Sequence, residues 1–312
     1  MTDTVYDRAT DERPLFRVRE MREQGALDAA LSEDRAYAAY ALAHLESGLF
    51  ERARFWTAEG AGGTGVVMHA TAMGRTMVVG GDPAAIDAIL SLHPGPRTTY
   101  LSTCAPEHVR VVRRRHALSA TLRMARMSVT RAAFSAASGA VRRLRGADIG
   151  ILNALYALED APNPYTAAHI ELGVYCGAFE DGRLLAVAGT HVVAPRASIA
   201  VVGNVFTHPG WRGRGLATAV TSGVTAELLD RGCALVVLTV DPENTPAVRA
   251  YTRLGYETGA TVIEARAGRR DPLGVGAWLR RRAARRRAAR QDGSAEEWTP
   301  GRAPADDGGE AL

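Results

Sequence analysis

The alternation of apolar and polar residues divides the second half of the chain into a helix and a series of short strands. Residues 149–158 have the spacing of a helix, and apolar runs follow at residues 172–179 and 184–193. The Asp-Gly pair at residues 181–182 lies between these runs and is a strong signal of a β-hairpin. Residues 199–207 predict a third strand.

The next segment predicts a long amphipathic helix, a buried strand and a short helix. Residues 213–229 place apolar side chains three or four positions apart, and Gly232 stands where a glycine commonly ends a helix. Residues 234–240 form a continuous apolar run, which is typical of a central strand buried on both faces. Thr245 and Pro246 then have the character of an N-cap and a first helical residue. The amphipathic positions of the long helix are Leu216, Val220, Val224 and Leu228.

The first half of the chain repeats part of this pattern at an offset of about 120 residues. Residues 18–21 resemble residues 141–144, and residues 54–60 resemble residues 173–179, which indicates an internal duplication. The strand-to-helix turn at residues 77–83 lacks the basic residues and the glycine spacing of its counterpart in the second half. We therefore expect the first half to be a structural or substrate-shaping domain.

The stretch at residues 205–217 carries the clearest chemical signal. A strand runs through a glycine-rich turn directly into an amphipathic helix, so free backbone N–H groups and the positive end of a helix dipole meet at one point. This point suits a pyrophosphate. Gly213 and Gly215 let phosphates approach the main chain, and Arg212 and Arg214 can add charge-assisted hydrogen bonds or simply be solvated. Taken alone, such a turn also occurs in nucleotide-binding folds and in plain connections.

Two ordered segments resemble the GNAT superfamily of N-acetyltransferases. The order Arg212-x-x-Gly215-x-Ala217 is similar to the acyl-CoA signature of that family, and the preceding strand and Pro209 stand where the family has them. Residues 244–256 are similar to its second conserved segment. The whole layout, with a poorly matching first half, resembles tandem GNAT proteins of the glycine N-acyltransferase-like kind.

The resemblance implies roles for the matching residues. The main chain of one strand segment would pair with the pantetheine arm of acetyl-CoA, as an added strand would. Asn244 would contact the same arm, and Tyr251 would give a proton to the departing thiolate. Asn244 can instead be a helix cap, and Tyr251 a packed aromatic side chain. The strand segment is Val205, Phe206 and Thr207, and the amides for the pyrophosphate are those of Arg212, Gly213, Arg214, Gly215, Leu216 and Ala217.

The general base is harder to assign. Many GNAT enzymes place a glutamate on the strand that ends at the cofactor turn, but residues 198–207 contain no acid, and only Asn204 stands at a suitable position. His191 on the neighbouring strand can take a proton near neutral pH, although a lone strand histidine is commonly structural. His208 is a weaker candidate. An amine that arrives deprotonated needs mainly positioning and a polarised carbonyl.

Length and composition indicate the number of domains and the class of protein. A chain of 312 residues with 46% apolar residues can bury the cores of two ordinary domains. The sequence has no long apolar run and no signal-peptide start, so we expect a cytoplasmic protein without a membrane segment. The cysteines lack the spacing of a zinc site, so we expect buried thiols and no metal. They are Cys104, Cys176 and Cys233.

The charge is unevenly distributed. The net charge is only +4, but all 38 basic residues are arginines, and seven of them fall between Arg280 and Arg290. An acidic stretch from Glu296 to Glu310 follows. We interpret residues 266–312 as a largely disordered tail, first arginine-rich and then acidic, that is solvated and partly helical with a flexible end. Attraction of nucleic acid or of a membrane surface is the alternative role of the arginines.

These observations predict an α/β protein with a mixed sheet and two side-by-side GNAT-like domains, the first of them degenerate. The resemblance itself covers about residues 141–263. The predicted boundaries are a tail at 1–12, a degenerate or substrate-shaping domain at 13–138, the catalytic domain at 139–265 and the second tail at 266–312.

The predicted reaction is transfer of an acetyl group from acetyl-CoA to a primary amine by direct attack. We expect a small-molecule or peptide acceptor, no membrane partner, no nucleic acid beyond the hint from the arginine cluster, and a monomer or homodimer. A catalytically inactive module that binds acyl-CoA is the first alternative, and the missing strand acid favours it. A nucleic-acid-associated protein that acts through its arginine cluster is the second.

Overall fold

The computed structural model describes residues 4–6, 15–72, 74–159 and 165–295. The strands are β1 (Thr4–Tyr6), β2 (Phe16–Met21), β3 (Ala53–Gly60), β4 (Gly63–Ala70), β5 (Thr76–Gly81), β6 (Thr98–Cys104), β7 (His116–Thr130), β8 (Arg142–Arg143), β9 (Cys176–Glu180), β10 (Arg183–Ala194), β11 (Ile199–Thr207), β12 (Leu235–Val240) and β13 (Glu257–Arg269). The helices are α1 (Gln24–Leu31), α2 (Ala39–Ala43), α3 (Pro83–Leu92), α4 (Val109–Arg115), α5 (Ile149–Tyr156), α6 (Ala167–Leu172), α7 (Leu216–Asp230), α8 (Thr245–Arg253) and α9 (Val275–Ala295).

The described strands form one mixed sheet. Its order is β1-β2-β3-β4-β5-β6-β13-β7-β12-β11-β10-β9-β8. Two neighbouring pairs are parallel, β5 with β6 and β11 with β12, and the other pairs are antiparallel. The mixed α/β architecture predicted from the sequence is therefore confirmed.

The two halves of the chain run through the same order of elements. The sequence of elements from β2 to β7 is strand, two helices, three strands, helix, strand, helix and strand, and the sequence from β8 to β13 is the same. When β2 to β7 are matched in order with β8 to β13, the sheet has the same strand order from both edges, apart from β1. The parallel pair β5/β6 of the first half thus corresponds to β11/β12 of the second.

The last strands of the two halves are exchanged. β7 of the first half pairs with β12, where Val129 lies opposite Val236, and β13 of the second half pairs with β6, where Ile263 lies opposite Cys104. β7 and β13 also pair with each other at the centre of the sheet. The boundary predicted after residue 138 separates the halves along the chain, but the sheet is continuous across it. Each half therefore needs a strand of the other to complete its sheet.

Helices cover both faces of the second half of the sheet. On one face, α7 buries the predicted apolar stripe, in which Val220, Val224 and Leu228 are fully buried. On the other face, α2 of the first half packs against β10 and β11, and side chains of α1 and Val237 of β12 belong to the same cluster. Each fully buried aliphatic side chain contributes about 1.5 to 3 kcal/mol. The continuous apolar run of β12 is explained by its burial on both faces.

Two local predictions in the second half are corrected. The strand predicted from residue 172 begins only at Cys176, because Thr166 caps a short helix by accepting a hydrogen bond from the His169 amide, and that helix runs to Leu172. The N-cap of α8 is Asn244 and not Thr245. The Asn244 side-chain oxygen accepts a hydrogen bond from the Ala247 amide at 3.2 Å.

The prediction of a largely disordered tail from residue 266 is also corrected, over residues 266–295. β13 continues to Arg269, and α9 docks on the end of α3, where the last carbonyl groups of a helix lack helical partners. Arg280 donates a hydrogen bond to the Ser91 carbonyl oxygen at 2.7 Å, and Arg281 donates one to that of Leu92 at 2.5 Å. The acidic stretch lies outside the described residues. Within the predicted N-terminal tail, β1 pairs with β2.

The cysteines, the helices and the groups that could bind a metal can be compared with the sequence predictions over the described part of the chain. The three cysteines are buried thiols, as predicted, and burial raises the pKa of Cys176 to about 11. None of the described helices combines the length and the apolar character needed to cross a bilayer. Among the described residues, no group of three histidine, cysteine or acidic side chains is arranged to hold a metal ion.

Buried neutral histidines make the fold sensitive to acid. Burial lowers the pKa of His69 to about 4 and that of His93 to about 3, from an ordinary value of 6.5. The unfolded chain takes up these protons below about pH 6.5 and the folded chain does not, so stability falls as the pH decreases through that range.

We expect His93→Phe, which keeps a ring against Trp56, to flatten this dependence by about 1.4 kcal/mol per pH unit between pH 6 and pH 4. Urea unfolding of both proteins at three pH values measures it. Equal slopes for the variant and the parent protein would contradict the assignment.

Candidate functional site

The parallel strands β11 and β12 separate at the centre of the second half. Their paired register runs from Ile199 opposite Leu235 to Val202 opposite Leu238, and β11 then continues to Thr207 beyond the paired region. Asn204 adopts a left-handed conformation with φ of 54°, which asparagine tolerates better than most residues. The Asn204 carbonyl oxygen accepts a hydrogen bond from the Tyr156 hydroxyl at 2.5 Å, so the main chain of residues 205–207 is the part of β11 that can pair with an extended ligand on the side of β12.

The turn between β11 and α7 leaves a helix N-terminus open. Gly213 and Gly215 both have φ of 80°, and Gly215 is the N-cap of α7 without a side-chain hydrogen bond. A Cβ atom added at either glycine would have no neighbour within 4 Å, so the turn faces open space. The amides of the first helical turn have no helical partner. These features suit a phosphate group at this position.

The side chains around the turn are partly engaged with the protein. Arg212 forms an ion pair with Glu159 at 2.6 Å, and the Arg214 guanidinium lies 4.2 Å from the centre of the Trp211 ring. His208 accepts a hydrogen bond from the Gly210 amide at 3.1 Å, which gives it a structural role in the turn. Both arginines are exposed, so either can turn toward a bound anion.

Asn204 and His191 meet in a cluster of polar side chains on the face of the sheet that carries α2 and α5. The His191 Nε2 atom lies 3.2 Å from Asn204 Oδ1, which also accepts a hydrogen bond from the Tyr165 hydroxyl at 2.6 Å. The Asn204 amide donates to the Tyr175 hydroxyl at 3.0 Å. On its other side, His191 Nδ1 lies 2.5 Å from the hydroxyl of Tyr40, which belongs to α2 of the first half.

The hydrogen-bond network assigns the tautomer of His191. Asn204 Oδ1 can only accept, so His191 Nε2 carries the proton and Nδ1 accepts from the Tyr40 hydroxyl. The ring keeps an exposed edge, but the surrounding protein still desolvates it and lowers the pKa of His191 below 6.5, against the opposing effect of the hydrogen bond with Asn204. His191 is therefore neutral at neutral pH, with its lone pair facing Tyr40.

A buried guanidinium lies behind this cluster. Arg126 on β7 is fully buried, with its guanidinium carbon 5.2 Å from the centre of the Tyr40 ring and a terminal nitrogen 3.9 Å from a Glu264 carboxylate oxygen. Its side-chain nitrogens have no hydrogen-bond partner within the described residues. Burial raises the pKa of Glu264, and the attraction of Arg126 opposes this rise. The exchanged strand thus brings a positive charge from the first half to the site.

Tyr251 and Asn244 lie on α8, whereas His191 and Asn204 face the helices on the opposite side of the sheet. Tyr251 is buried in the cluster of α7 and α8, and burial raises the pKa of its hydroxyl to about 12. That hydroxyl has no hydrogen-bond partner within the described part of the chain. Asn244 is the N-cap of α8, which is the alternative to a contact with the cofactor arm. The separation of β11 and β12 lies between Tyr251 on one face and the His191 cluster on the other.

The corresponding turn of the first half is built differently. Only Asp82 stands between β5 and α3, whereas residues 208–215 separate β11 from α7. Asp82 is the N-cap residue of α3, but its carboxylate makes no capping hydrogen bond and accepts one from the Thr64 amide at 3.0 Å instead. Pro83 removes an amide from the first turn. A negative charge at this position repels a phosphate.

The free edge of β5 is also covered in the first half. Beyond its paired residues with β6, the carbonyl oxygen of Val79 accepts a hydrogen bond from the Tyr37 hydroxyl, and that of Gly81 lies 2.7 Å from His108 Nε2. These two contacts occupy main-chain groups near the end of β5. In β11 a similar contact joins the Tyr156 hydroxyl to the Asn204 carbonyl oxygen, and residues 205–207 remain open on the side of β12.

Comparison with known proteins finds a family match within the second half. Residues 151–256 match the model described as the acetyltransferase (GNAT) family. This part of the chain is similar to a GNAT acetyltransferase domain. The match covers both sequence segments that resembled the family, including the turn before α7 and the whole of α8.

Two curated relatives match shorter segments. The mycothiol acetyltransferase of Thermobifida fusca is 44% identical over 59 residues, which are 18% of this chain and 18% of that protein. An acetyltransferase of Yersinia pestis (strain Pestoides F) is 38% identical over 56 residues, 18% of this chain and 40% of that protein. The chain therefore spans less than half of the length of either relative in these matches.

A solved structure shares the fold over a larger part of the chain. A GCN5-related N-acetyltransferase from Kribbella flavida superimposes with a TM-score of 0.53 at 20% identity, and covers 75% of this chain and 95% of that one. The likeness extends well beyond the matched GNAT domain into the first half. At this identity it supports the fold and carries no argument about the reaction.

Sequence reasoning missed the residues that surround His191 and Asn204. Tyr40 lies on α2, whereas Tyr165 and Tyr175 lie in the segments before α6 and β9, and their meeting point depends on how α2 of the first half docks on the second. Arg126 alone had a local signal, because an arginine stands among alternating apolar residues of β7. The missed residues are Tyr40, Arg126, Tyr165 and Tyr175.

Proposed function

We propose that the protein is an acyl-CoA-dependent N-acyltransferase that transfers an acetyl group from acetyl-CoA to a primary amine. The observation that carries this proposal is the open helix N-terminus at Gly215 beside the separated strands β11 and β12, within a matched GNAT domain. A phosphate site and a free strand edge in continuity fit a ligand with a pyrophosphate and an extended amide-bearing arm.

The residues of β11 and the turn have complementary tasks in this proposal. The main-chain groups of Val205, Phe206 and Thr207 pair with the pantetheine arm, and the amides from Arg212 to Ala217 hold the pyrophosphate. The thioester then lies where β11 and β12 separate, with Tyr251 on one side and Asn204 on the other. Asn244 keeps its role as helix cap, and the NH₂ group of its side chain can still contact the cofactor arm.

The reaction requires a neutral amine and a protonated leaving group. The amine nitrogen forms a bond with the acyl carbon, the C–S bond breaks, and the thiolate takes the proton of the Tyr251 hydroxyl. The raised pKa of Tyr251 keeps that hydroxyl protonated at neutral pH. Binding holds the amine and the thioester in reach of each other, which supplies most of the acceleration when the amine arrives deprotonated.

The proton of the amine goes to His191 in this proposal. Since the lone pair of His191 faces Tyr40, the proton reaches it through the Tyr40 hydroxyl, which accepts one proton and donates another to Nδ1. Asn204 holds the other ring nitrogen and so fixes the orientation of the imidazole. The base must be neutral, so activity falls as the pH decreases through the lowered pKa of His191.

We expect Tyr40→Phe to lower kcat/KM by about 10²-fold, since it breaks the proton path and keeps the ring over Arg126. The pH dependence of kcat/KM should lose the step that His191 causes in the parent protein. Tyr37→Phe is the matched control, since Tyr37 lies near the same helix but bonds to β5 of the first half. A pH profile unchanged in Tyr40→Phe would assign the amine proton to water.

We propose that the first half is a degenerate copy of the GNAT domain that shapes the acceptor side of the site. The repeated order of elements supports a duplication, and Asp82, Pro83 and the covered edge of β5 oppose binding of a second cofactor. The copy supplies Tyr40 and Arg126 to the active half. In this arrangement the exchange of β7 and β13 keeps the two halves together.

Two measurements test the proposed function in sequence. At a hundred times its dissociation constant, acetyl-CoA should stabilise the fold by about 2.7 kcal/mol, which a melting scan detects. Purified protein with acetyl-CoA and a library of primary amines should then release free CoA thiol with at least one acceptor. Stabilisation without release by any amine would favour the inactive acyl-CoA-binding module, and no stabilisation would reject both proposals.

A further inference from the structure

A large basic groove lies on the first half, apart from the proposed acyl-CoA site. It has a volume of about 1390 Å³ and lies between β2, β3, the segment after α3 and the N-terminal part of α9. None of the residues assigned to acyl-CoA lines it. The arginine cluster of α9, which the sequence assigned to a disordered tail, forms one of its walls.

Arginine is more frequent among the residues that line the groove than in the whole chain. Seven of its 22 lining residues are arginines and two are glutamates, whereas arginine accounts for 38 of 312 residues in the whole chain. Because this chain has no lysine, the presence of arginine instead of lysine in the groove indicates nothing about its ligand. The clustering of the arginines is the informative feature. Burial and the repulsion of Arg285 and Arg269 lower the pKa of Arg281. A bound polyanion would relieve this repulsion.

Some of these cations are held in place and one is free. Arg54 forms two hydrogen bonds with Glu20, at 3.0 and 2.6 Å, and Arg269 donates to the carbonyl oxygen of Gly95 at 3.0 Å. Arg285 is exposed and makes no hydrogen bond or ion pair within the described part of the chain. The groove therefore combines fixed positive charges on one wall with an available guanidinium on the other.

Aromatic rings lie among the arginines. Trp56 stacks on His93 with ring centres 3.3 Å apart and planes at 9°, and Arg54 lies 5.1 Å from the centre of the Trp56 ring, so this tryptophan is already covered. Trp278 on α9 lines the groove and is 49% exposed, although the Arg282 guanidinium lies 5.4 Å from its ring centre. An exposed ring between cations can stack with a nucleobase while the cations bind the neighbouring phosphates.

We propose that this groove binds single-stranded nucleic acid, with the arginines on its phosphates and Trp278 stacked on a base. Its volume exceeds that of an ordinary site for one small molecule, which leaves room for several nucleotides. A concave surface fits a strand better than a flat bilayer of anionic lipid. The exposed tryptophan gives a base a platform that an acidic peptide does not need.

The test uses the full chain and a fluorescently labelled single-stranded oligonucleotide of about 12 nucleotides, as RNA and as DNA, in anisotropy titrations. Affinity should fall steeply between 50 and 200 mM salt. Trp278→Ala should weaken binding by about 5- to 100-fold, the range for loss of one stacked base. Arg285→Glu should weaken it by about 10-fold or more and reduce the salt slope by roughly 0.7.

Arg183→Glu is the matched control, since Arg183 is exposed at the β9–β10 hairpin outside the groove and undergoes the same change of charge. It should bind like the parent protein, and all variants should keep their melting temperature and their stabilisation by acetyl-CoA. Equal losses in Arg285→Glu and Arg183→Glu would overturn the groove assignment.

Two further outcomes would also overturn the proposal. In the first, Trp278→Ala leaves the oligonucleotide affinity unchanged, and heparin binds as tightly as the oligonucleotide does. This result would mean that the groove attracts any polyanion. The second is binding to anionic phospholipid vesicles with none to either oligonucleotide.

Discussion

Tyr251→Phe is expected to lower kcat by about 10²- to 10⁴-fold, the range typical of a lost general acid. The hydroxyl is the proton source for the leaving thiolate in the proposed reaction, and its pKa of about 12 keeps it protonated throughout the neutral range. The substitution removes one oxygen atom and leaves the buried ring in contact with the α7 and α8 cluster. The dissociation constant of acetyl-CoA and the melting temperature should therefore change little.

Single-turnover kinetics under saturating acetyl-CoA measures this effect on the chemical step. Tyr256→Phe is the control, because Tyr256 lies in the same cluster with its ring centre 6.1 Å from that of Tyr251. Its hydroxyl bonds to the Thr225 hydroxyl at 2.8 Å, so its loss should reduce stability by about 1 kcal/mol and leave kcat unchanged. A chemical step as fast in Tyr251→Phe as in the parent protein would return Tyr251 to a packing role.

Gly215→Glu is expected to raise the dissociation constant of acetyl-CoA by about 100-fold or more. The new carboxylate would stand at the open N-terminus of α7, where the proposed pyrophosphate binds, and juxtaposed like charges cost several kcal/mol. A titration calorimeter or a melting scan measures the loss. The helix itself should tolerate the change, because the negative charge lies at its positive end.

The backbone strain of this substitution needs its own control. Gly232 ends the same helix, has φ of 90° and, like Gly215, would give a Cβ atom no neighbour within 4 Å. Gly232→Glu thus introduces the same charge and the same left-handed strain, of about 1 to 2 kcal/mol, away from the turn. Acetyl-CoA binding that is lost equally in both variants would mean that destabilisation, and not the phosphate site, explains the result.

Local sequence signals predicted the elements around the open turn of the second half. The Asp-Gly turn, the span of β11 and the apolar stripe of α7 each depend on residues close together in the chain, and the structure has them where the pattern indicated. The strand error at residue 172 has the same origin. A Thr166 cap followed by His169 differs from the usual capping box with glutamate or glutamine, so the apolar run dominated the interpretation.

The cluster around His191 could not be predicted in the same way. The contact between Tyr40 and His191 joins residues 151 positions apart and exists because α2 of the first half packs on β10 and β11. The exchange of β7 and β13 is equally non-local, since pairing with either half would satisfy the same alternation of apolar and polar residues. The docking of the α9 arginines on α3 could not be predicted either, because it uses carbonyl groups that no sequence pattern marks.

Amide hydrogen exchange with and without acetyl-CoA tests the central claim most directly, because it reports where on the chain the cofactor binds. Saturating acetyl-CoA should slow exchange in peptides that span residues 205–219, which contain the free strand edge and the open turn. Peptides that span residues 79–86, the corresponding turn of the first half, should exchange at the same rate in both conditions. Protection of the first-half turn, or of neither turn under conditions where acetyl-CoA is bound, would contradict the account.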